Sequence, residues 1–142
     1  HLPTRRQRQM CIRDSMNGAP FRLVGLRGAT TCSANTATDI RHAVRELIDA
    51  LVSRNGIKPT DIVSLTFSVT ADLDACFPAA EARQRQGWDS VALLDCQQMS
   101  VQGDLCRCIR VLAHVWLPPD QTPQHPYLGE ASRLRPDRSG HN

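Results

Sequence analysis

With 142 residues, 41% hydrophobic and 22% charged, the chain has material for one small core, and no apolar run approaches the ~20 residues that span a bilayer. The formal net charge of +3 would suggest an anionic surface partner, but the excess lies in residues 1–15, where Arg5, Arg6, Arg8 and Arg13 are offset only by Asp14. Residues 16–142 balance to zero, which removes the main support for binding nucleic acid or a membrane surface.

Along the chain, the run from Arg5 to Ser15 resembles the translation of a transposase adaptor used in sequencing-library preparation. Residues 1–15 are therefore expected to be a leader outside the fold, the other reading being a basic disordered arm. Residues 16–142 are expected to form one domain with a flexible tail from about 138. Five cysteines follow the leader, Cys32, Cys76, Cys96, Cys106 and Cys108. An odd number without a secretory apolar segment implies reduced thiols and a cytoplasmic protein.

A first strand is predicted over Phe21–Leu26, closed by Arg27 and ending at Gly28-Ala29-Thr30-Thr31. A helix follows, its apolar Ile40, Ala43, Val44, Leu47, Ile48, Leu51 and Val52 recurring every three or four residues. Thr36 with Asp39 supplies the start and Asn55-Gly56 the stop. Ile62–Val69 reads as a second strand, and Phe77-Pro78 opens a short helix to Gln86 that Gly87 ends. A third strand is predicted over Ser90–Cys96 and a fourth over Cys106–Leu117. The fourth alternates Ile109, Val111, Ala113, Val115 and Leu117 with Cys108, Arg110, Leu112, His114 and Trp116. The proline-rich stretch from Pro118 to Pro126 is a loop leading to Tyr127. This pattern implies an α+β fold, a sheet with helices mainly on one face, whose other face needs cover such as another subunit.

Several chemistries lack their residues. Cys106 and Cys108, with Cys96 and His114, offer soft metal ligands, but alternation without a CxxC turn argues for plain thiols. There is no Gly-X-Ser-X-Gly elbow for a hydrolytic triad, and Gly25-X-X-Gly28 lacks the lysine of a phosphate loop. No metal or cofactor is expected.

Arginines are the residues left to explain. Arg27, Arg110 and Arg135 stand in or beside apolar runs where side chains should point inward, and a buried guanidinium is costly unless paired. No strand carries an obvious carboxylate for each, so a ligand with several carboxylates is the expected partner. Arg83 joins this set, with Gln98 and Tyr127 as polar companions and Phe77 and Leu134 as apolar walls.

The runs Leu26-Arg27-Gly28-Ala29-Thr30-Thr31, Asp72-Leu73-X-Ala75-X-Phe77-Pro78-Ala79, Gly87-Trp88, Gln97-Gln98-Met99 and Gly103-X-Leu105 belong together with Cys108-Ile109-Arg110-Val111, Tyr127-Leu128 and Leu134-Arg135-Pro136-Asp137. In that order, over roughly residues 22–137, they resemble the AroH-class chorismate mutases. The resemblance implies a homotrimer forming a pseudo-α/β-barrel, with active sites between adjacent chains. It also implies the Claisen rearrangement of chorismate to prephenate in aromatic amino-acid biosynthesis. That reaction is pericyclic and needs no nucleophile, metal or proton transfer.

By the same resemblance Arg110 donates to the ether oxygen and a carboxylate, while Arg27 and Tyr127 bind carboxylate. Gln98 meets the substrate hydroxyl, Arg83 and Arg135 assist binding or closure, and Phe77, Ala79 and Leu134 pack the ring. The chain departs from the best-known members at Gln98, where they have glutamate, at Asp95, where they have cysteine, and at Ala80, where they have lysine. Asp95 beside a dianion would repel it unless paired or protonated. This leaves two alternatives to plain chorismate mutase activity: a mutase for an amino-substituted chorismate, or a non-catalytic carboxylate-binding relative.

Overall fold

A computed structural model describes residues 20–136; the expected leader and the tail from about 138 lie outside them. β1 (Arg22–Thr31) leads to α1 (Ala37–Asn55), a 3-10 turn (Pro59–Asp61) and β2 (Ile62–Val69). Then come α2 (Pro78–Arg83), β3 (Ala92–Gln97), β4 (Cys108–Leu117) and a second 3-10 turn (Gly129–Arg133). The sheet order is β1-β4-β2-β3, with β4 antiparallel to both neighbours and β2 parallel to β3.

α1 begins and ends where its caps dictate. The Thr36 side chain accepts from the Asp39 N–H, and Gly56 takes the left-handed conformation that closes the last turn. The apolar stripe Ile40, Val44, Leu47, Ile48 and Leu51 is buried against Leu26, Leu65, Phe67, Ile109 and Val115. Ala79 and Ala82 of α2 join the same core, and Arg45 of α1 pairs with Glu81 of α2. Both helices therefore cover one face of a mixed sheet, the α+β arrangement expected.

Four elements differ from expectation in their boundaries, one of them β3, which spans Ala92–Gln97 rather than Ser90–Cys96. β1 runs on to Thr31 because Gly28 to Thr31 pair with Cys108 to Val111 of β4, carrying the ladder through Gly28 and Ala29, which have weak strand preference, to the strand-forming Thr30 and Thr31. β4 starts at Cys108, since Arg107 holds a left-handed φ of 47° that breaks the extended run. That conformation is braced by Asp72, which accepts the Arg107 N–H, and by Arg107 Nε donating to the Cys32 carbonyl. α2 stops at Arg83, the chain from Gln84 to Trp88 continuing as turns closed by three-residue hydrogen bonds. The second 3-10 turn lies in a stretch with no helical period to reveal it.

Opposite the helices the sheet is largely open. Leu23, Leu94 and Leu112 are exposed there, and among the described residues cover is confined to the end where β1 meets the start of β4. That cover is a small cluster of Ala29, Cys108, Tyr127 and Ala131, with Leu105 and Leu134 packed on it.

Candidate active site

In the sheet, Arg27 stands opposite Leu112 and Ala29 opposite Arg110; Thr66 and Ser68 of β2 continue these two rows. Strand alternation projects Arg27, Arg110, Thr66 and Ser68 from the open face. The expected inward direction of the strand arginines is thus corrected. Leu26, Ile109 and Val111 take the core positions, leaving Arg27 exposed and Arg110 half-buried on the other side.

These rows floor a cavity of about 630 Å³ lined by Arg27, Gly28, Thr66, Ser68, Gln98, Arg110 and Tyr127 among others, a size typical of small-molecule sites. Four of the residues singled out in the sequence, Arg27, Gln98, Arg110 and Tyr127, therefore share one space.

Tyr127 arrives there by a close backbone approach. The Ala29 N–H donates to the Pro126 carbonyl at 3.0 Å and the Leu128 N–H to the Ala29 carbonyl at 2.8 Å, adding a short parallel bridge beyond β1. A Cβ on Gly28 would lie 2.8 Å from the Pro126 oxygen, so only glycine leaves room. Asn55 fixes the same segment from the other side. Its buried amide donates to the Leu51 and Gln124 carbonyls and accepts the Gln124 N–H at 2.8 Å. The Arg27 N–H donates to His125 Nδ1 at 3.0 Å, a contact that sets that nitrogen as the unprotonated one.

The polar groups differ in how they are held. Arg27 forms no ion pair among the described residues. Arg110 Nη2 meets Asp104 at 3.1 Å, while its Nη1 is buried and finds no acceptor among the described residues. The expectation that Arg110 lacks a protein carboxylate is corrected by this pair, which a loop residue rather than a strand residue supplies. Gln98 Oε1 accepts from the Ser68 hydroxyl at 2.6 Å, leaving one lone pair and the NH2 group for the cavity.

A second recess of about 450 Å³ holds other expected residues. Phe77, 73% exposed, and Asp95 line it with Val69, Cys76 and Pro78. Asp95 accepts the Ala79 N–H at 3.0 Å and so caps α2 from β3. Burial pushes its carboxyl pKa up, opposed by the Ala79 N–H and the Arg83 charge. The carboxylate that was hard to place beside an anion thus has a partner inside the chain. Ala79 is buried in the core, Arg83 is exposed on α2, and Leu134 and the half-buried Arg135 sit by the second 3-10 turn; none of the four lines either recess.

Asp104, Ser68 and Thr66 were missed in the sequence. Asp104 follows Gly103 in an irregular loop, where no period relates it to Arg110. Ser68 and Thr66 carried a readable signal, since alternation in β2 separates them from the core residues Leu65 and Phe67. Cys106 lies in the loop ahead of β4, so it does not share a strand face with Cys108 as expected. Among the described residues no three His, Cys, Asp or Glu side chains gather closely enough to hold a metal, and no helix is long and apolar enough to cross a membrane.

Residues 23–138 match the family described as chorismate mutase type I. Chorismate mutase AroH of Bacillus subtilis (strain 168) is 40% identical over 117 residues, covering 81% of this chain and 91% of that protein. Its counterpart from Thermus thermophilus is 44% identical over 117 residues, covering 80% and 93%. A solved chorismate mutase from Clostridium thermocellum superposes with a TM-score of 0.72 at 42% identity, covering 78% of this chain and 99% of that one. With the family matched over most of its length and relatives of this identity, the chain belongs to the type I chorismate mutases.

Proposed function

We propose that the protein is a chorismate mutase of aromatic amino-acid biosynthesis, an isomerase converting chorismate to prephenate without a cofactor. The observation that carries this reading, beside family membership, is the convergence of Arg27, Arg110, Gln98 and Tyr127 on one cavity. In the rearrangement the ether C–O bond breaks as a C–C bond forms, and negative charge grows on the ether oxygen. Two permanently charged guanidinium groups suit a dianion held in its compact conformer, and one aimed at the ether oxygen favours the transition state over the ground state.

In this reading Arg110 and Gln98 act on the breaking bond and the ring hydroxyl, and Arg27 with Tyr127 grips carboxylate. Arg110 Nη1, buried with no acceptor among the described residues, is suited to a substrate oxygen. Phe77, Ala79, Arg83, Asp95, Leu134 and Arg135 complete the substrate site. Because Phe77 and Asp95 occupy a recess of their own, the complete site is assigned to a cleft where one subunit's recess faces another's arginine cavity. The open sheet face with Leu23, Leu94 and Leu112 supports the same homotrimer. Free thiols at Cys32, Cys76, Cys96, Cys106 and Cys108 fit a cytoplasmic setting.

The test is incubation of the full chain with chorismate while prephenate is followed. Saturable conversion is expected; dicarboxylate binding without turnover would refute the enzyme and leave the non-catalytic alternative.

A further inference from the structure

We infer that Asp104 is a positioning residue for the reaction, clamping the Arg110 guanidinium from outside the substrate cavity; the inference rests on the mutase reading of that cavity. The geometry of the pair carries it. Both Asp104 oxygens approach the same nitrogen, Nη2, at 3.1 and 3.3 Å. The contact therefore occupies one edge of the guanidinium and is not the two-nitrogen fork that would consume it. Nη1 remains buried and without an acceptor among the described residues.

Asp104 is itself fixed by groups other than Arg110. The Leu105 N–H donates to its Oδ1 at 2.8 Å, and its own N–H closes a turn onto the Val101 carbonyl at 3.1 Å. The carboxylate is thus a braced anion to which the long arginine side chain is tied, rather than a mobile group that follows the arginine.

Its location separates a clamp from a competitor. The cavity that contains Arg27, Arg110 and Tyr127 does not include Asp104 in its wall. Asp104 lines an adjacent recess of about 230 Å³ with Thr70, Asp72 and Leu105, and of the polar groups around Arg110 only Gln98 borders both spaces. A carboxylate inside the cavity would repel a dianion and be displaced by it. One behind the guanidinium removes rotamer freedom before substrate arrives, and preorganised donors are the ones that favour a transition state. Arg110 and Asp104 side chains are each 21% exposed, so the tie is shielded from the full dielectric of water.

Steady-state kinetics of the full-length protein tests the clamp. Asp104→Ala is expected to lower kcat roughly tenfold with KM changed by less than about threefold, as a misplaced donor should. Asp104→Asn, which keeps an oxygen for Nη2, should stay within about threefold of wild type, and in an Arg110→Ala background Asp104→Ala should change kcat by less than about twofold. Wild-type kcat in Asp104→Ala, a rise in kcat/KM, or the same loss with and without Arg110 would each overturn the inference. If Asp104→Ala does not fold, Asp104→Glu and Asp104→Asn replace it: the longer carboxylate must lower kcat more than the neutral isostere, and the reverse order refutes the clamp.

A readout free of turnover keeps this separate from the function itself. In protein with 15N-labelled arginine, the Arg110 Nε–H resonance, identified by its loss in Arg110→Ala, should be sharp in wild type and broadened in Asp104→Ala. An unchanged resonance sinks the clamp whether or not chorismate rearranges. Absent wild-type turnover with a broadened resonance sinks only the mutase reading.

Discussion

Removing the guanidinium of Arg110 takes away the donor proposed to meet the developing oxyanion. Loss of one such donor costs about 2.7–4 kcal/mol of activation free energy, so Arg110→Ala should lose about a hundredfold or more in kcat, read by prephenate formation. Three carboxylates carry a separate expectation about acid. The Leu105 N–H, and then Arg110, hold Asp104 below the usual carboxylate range, while the Thr70 hydroxyl and then the Arg107 N–H do the same for Asp72. Their folded pKa values lie below the unfolded ones, so their contribution is present above the unfolded pKa and lost as pH falls through the folded value. The Tm deficit of Asp72→Asn relative to wild type should therefore be visible at pH 6 and shrink below about pH 4. Asp95 has the opposite sign. Burial raises its pKa, so its contribution is full below the unfolded value and declines as pH rises through the folded one, a decline that Asp95→Asn should not show.

At the scale of elements, the segment from Gln124 to Leu128 is the most sensitive connection, because it is irregular backbone that carries Tyr127 to the cavity. Asn55→Ala removes three hydrogen bonds and leaves the Gln124 backbone without its partners; a loss of about 1–3 kcal/mol is expected from denaturant midpoints at fixed protein concentration. Gly28→Ala would drive a methyl against the Pro126 carbonyl, which cannot yield without withdrawing Tyr127, so KM should rise alongside the loss of stability. α1 and β2 were legible to the residue, since a clear stripe with both caps marks one and a β-branched run between turns marks the other. β1 was read five residues short because pairing with β4, not local preference, extends it. The cavity arginines were legible as residues but not in direction. Parity decides direction, and the strand's register was needed to place Arg27 away from the core. Asp104 was not legible at all, since its meeting with Arg110 depends on a loop path.

For the whole molecule, the two recesses and the open sheet face are expected to be completed by assembly. Sedimentation should report a trimer, and Leu23→Asp, which puts a charge on that face outside the arginine cavity, should shift it toward monomer with activity falling in proportion. The small cluster under the C-terminal segment adds a consequence for motion. Cys108 is fully buried between Ala29, Tyr127 and Ala131, and burial raises its thiol pKa. It is therefore inert to alkylating reagents until that segment lifts from the sheet, whereas Cys96 and Cys106 are exposed from the start. Followed at Cys108 itself by peptide mass, since Cys32 is buried as well, slow modification becomes a clock for the opening of the wall that holds Tyr127, and an occupied cavity should slow it while leaving the exposed Cys106 unchanged.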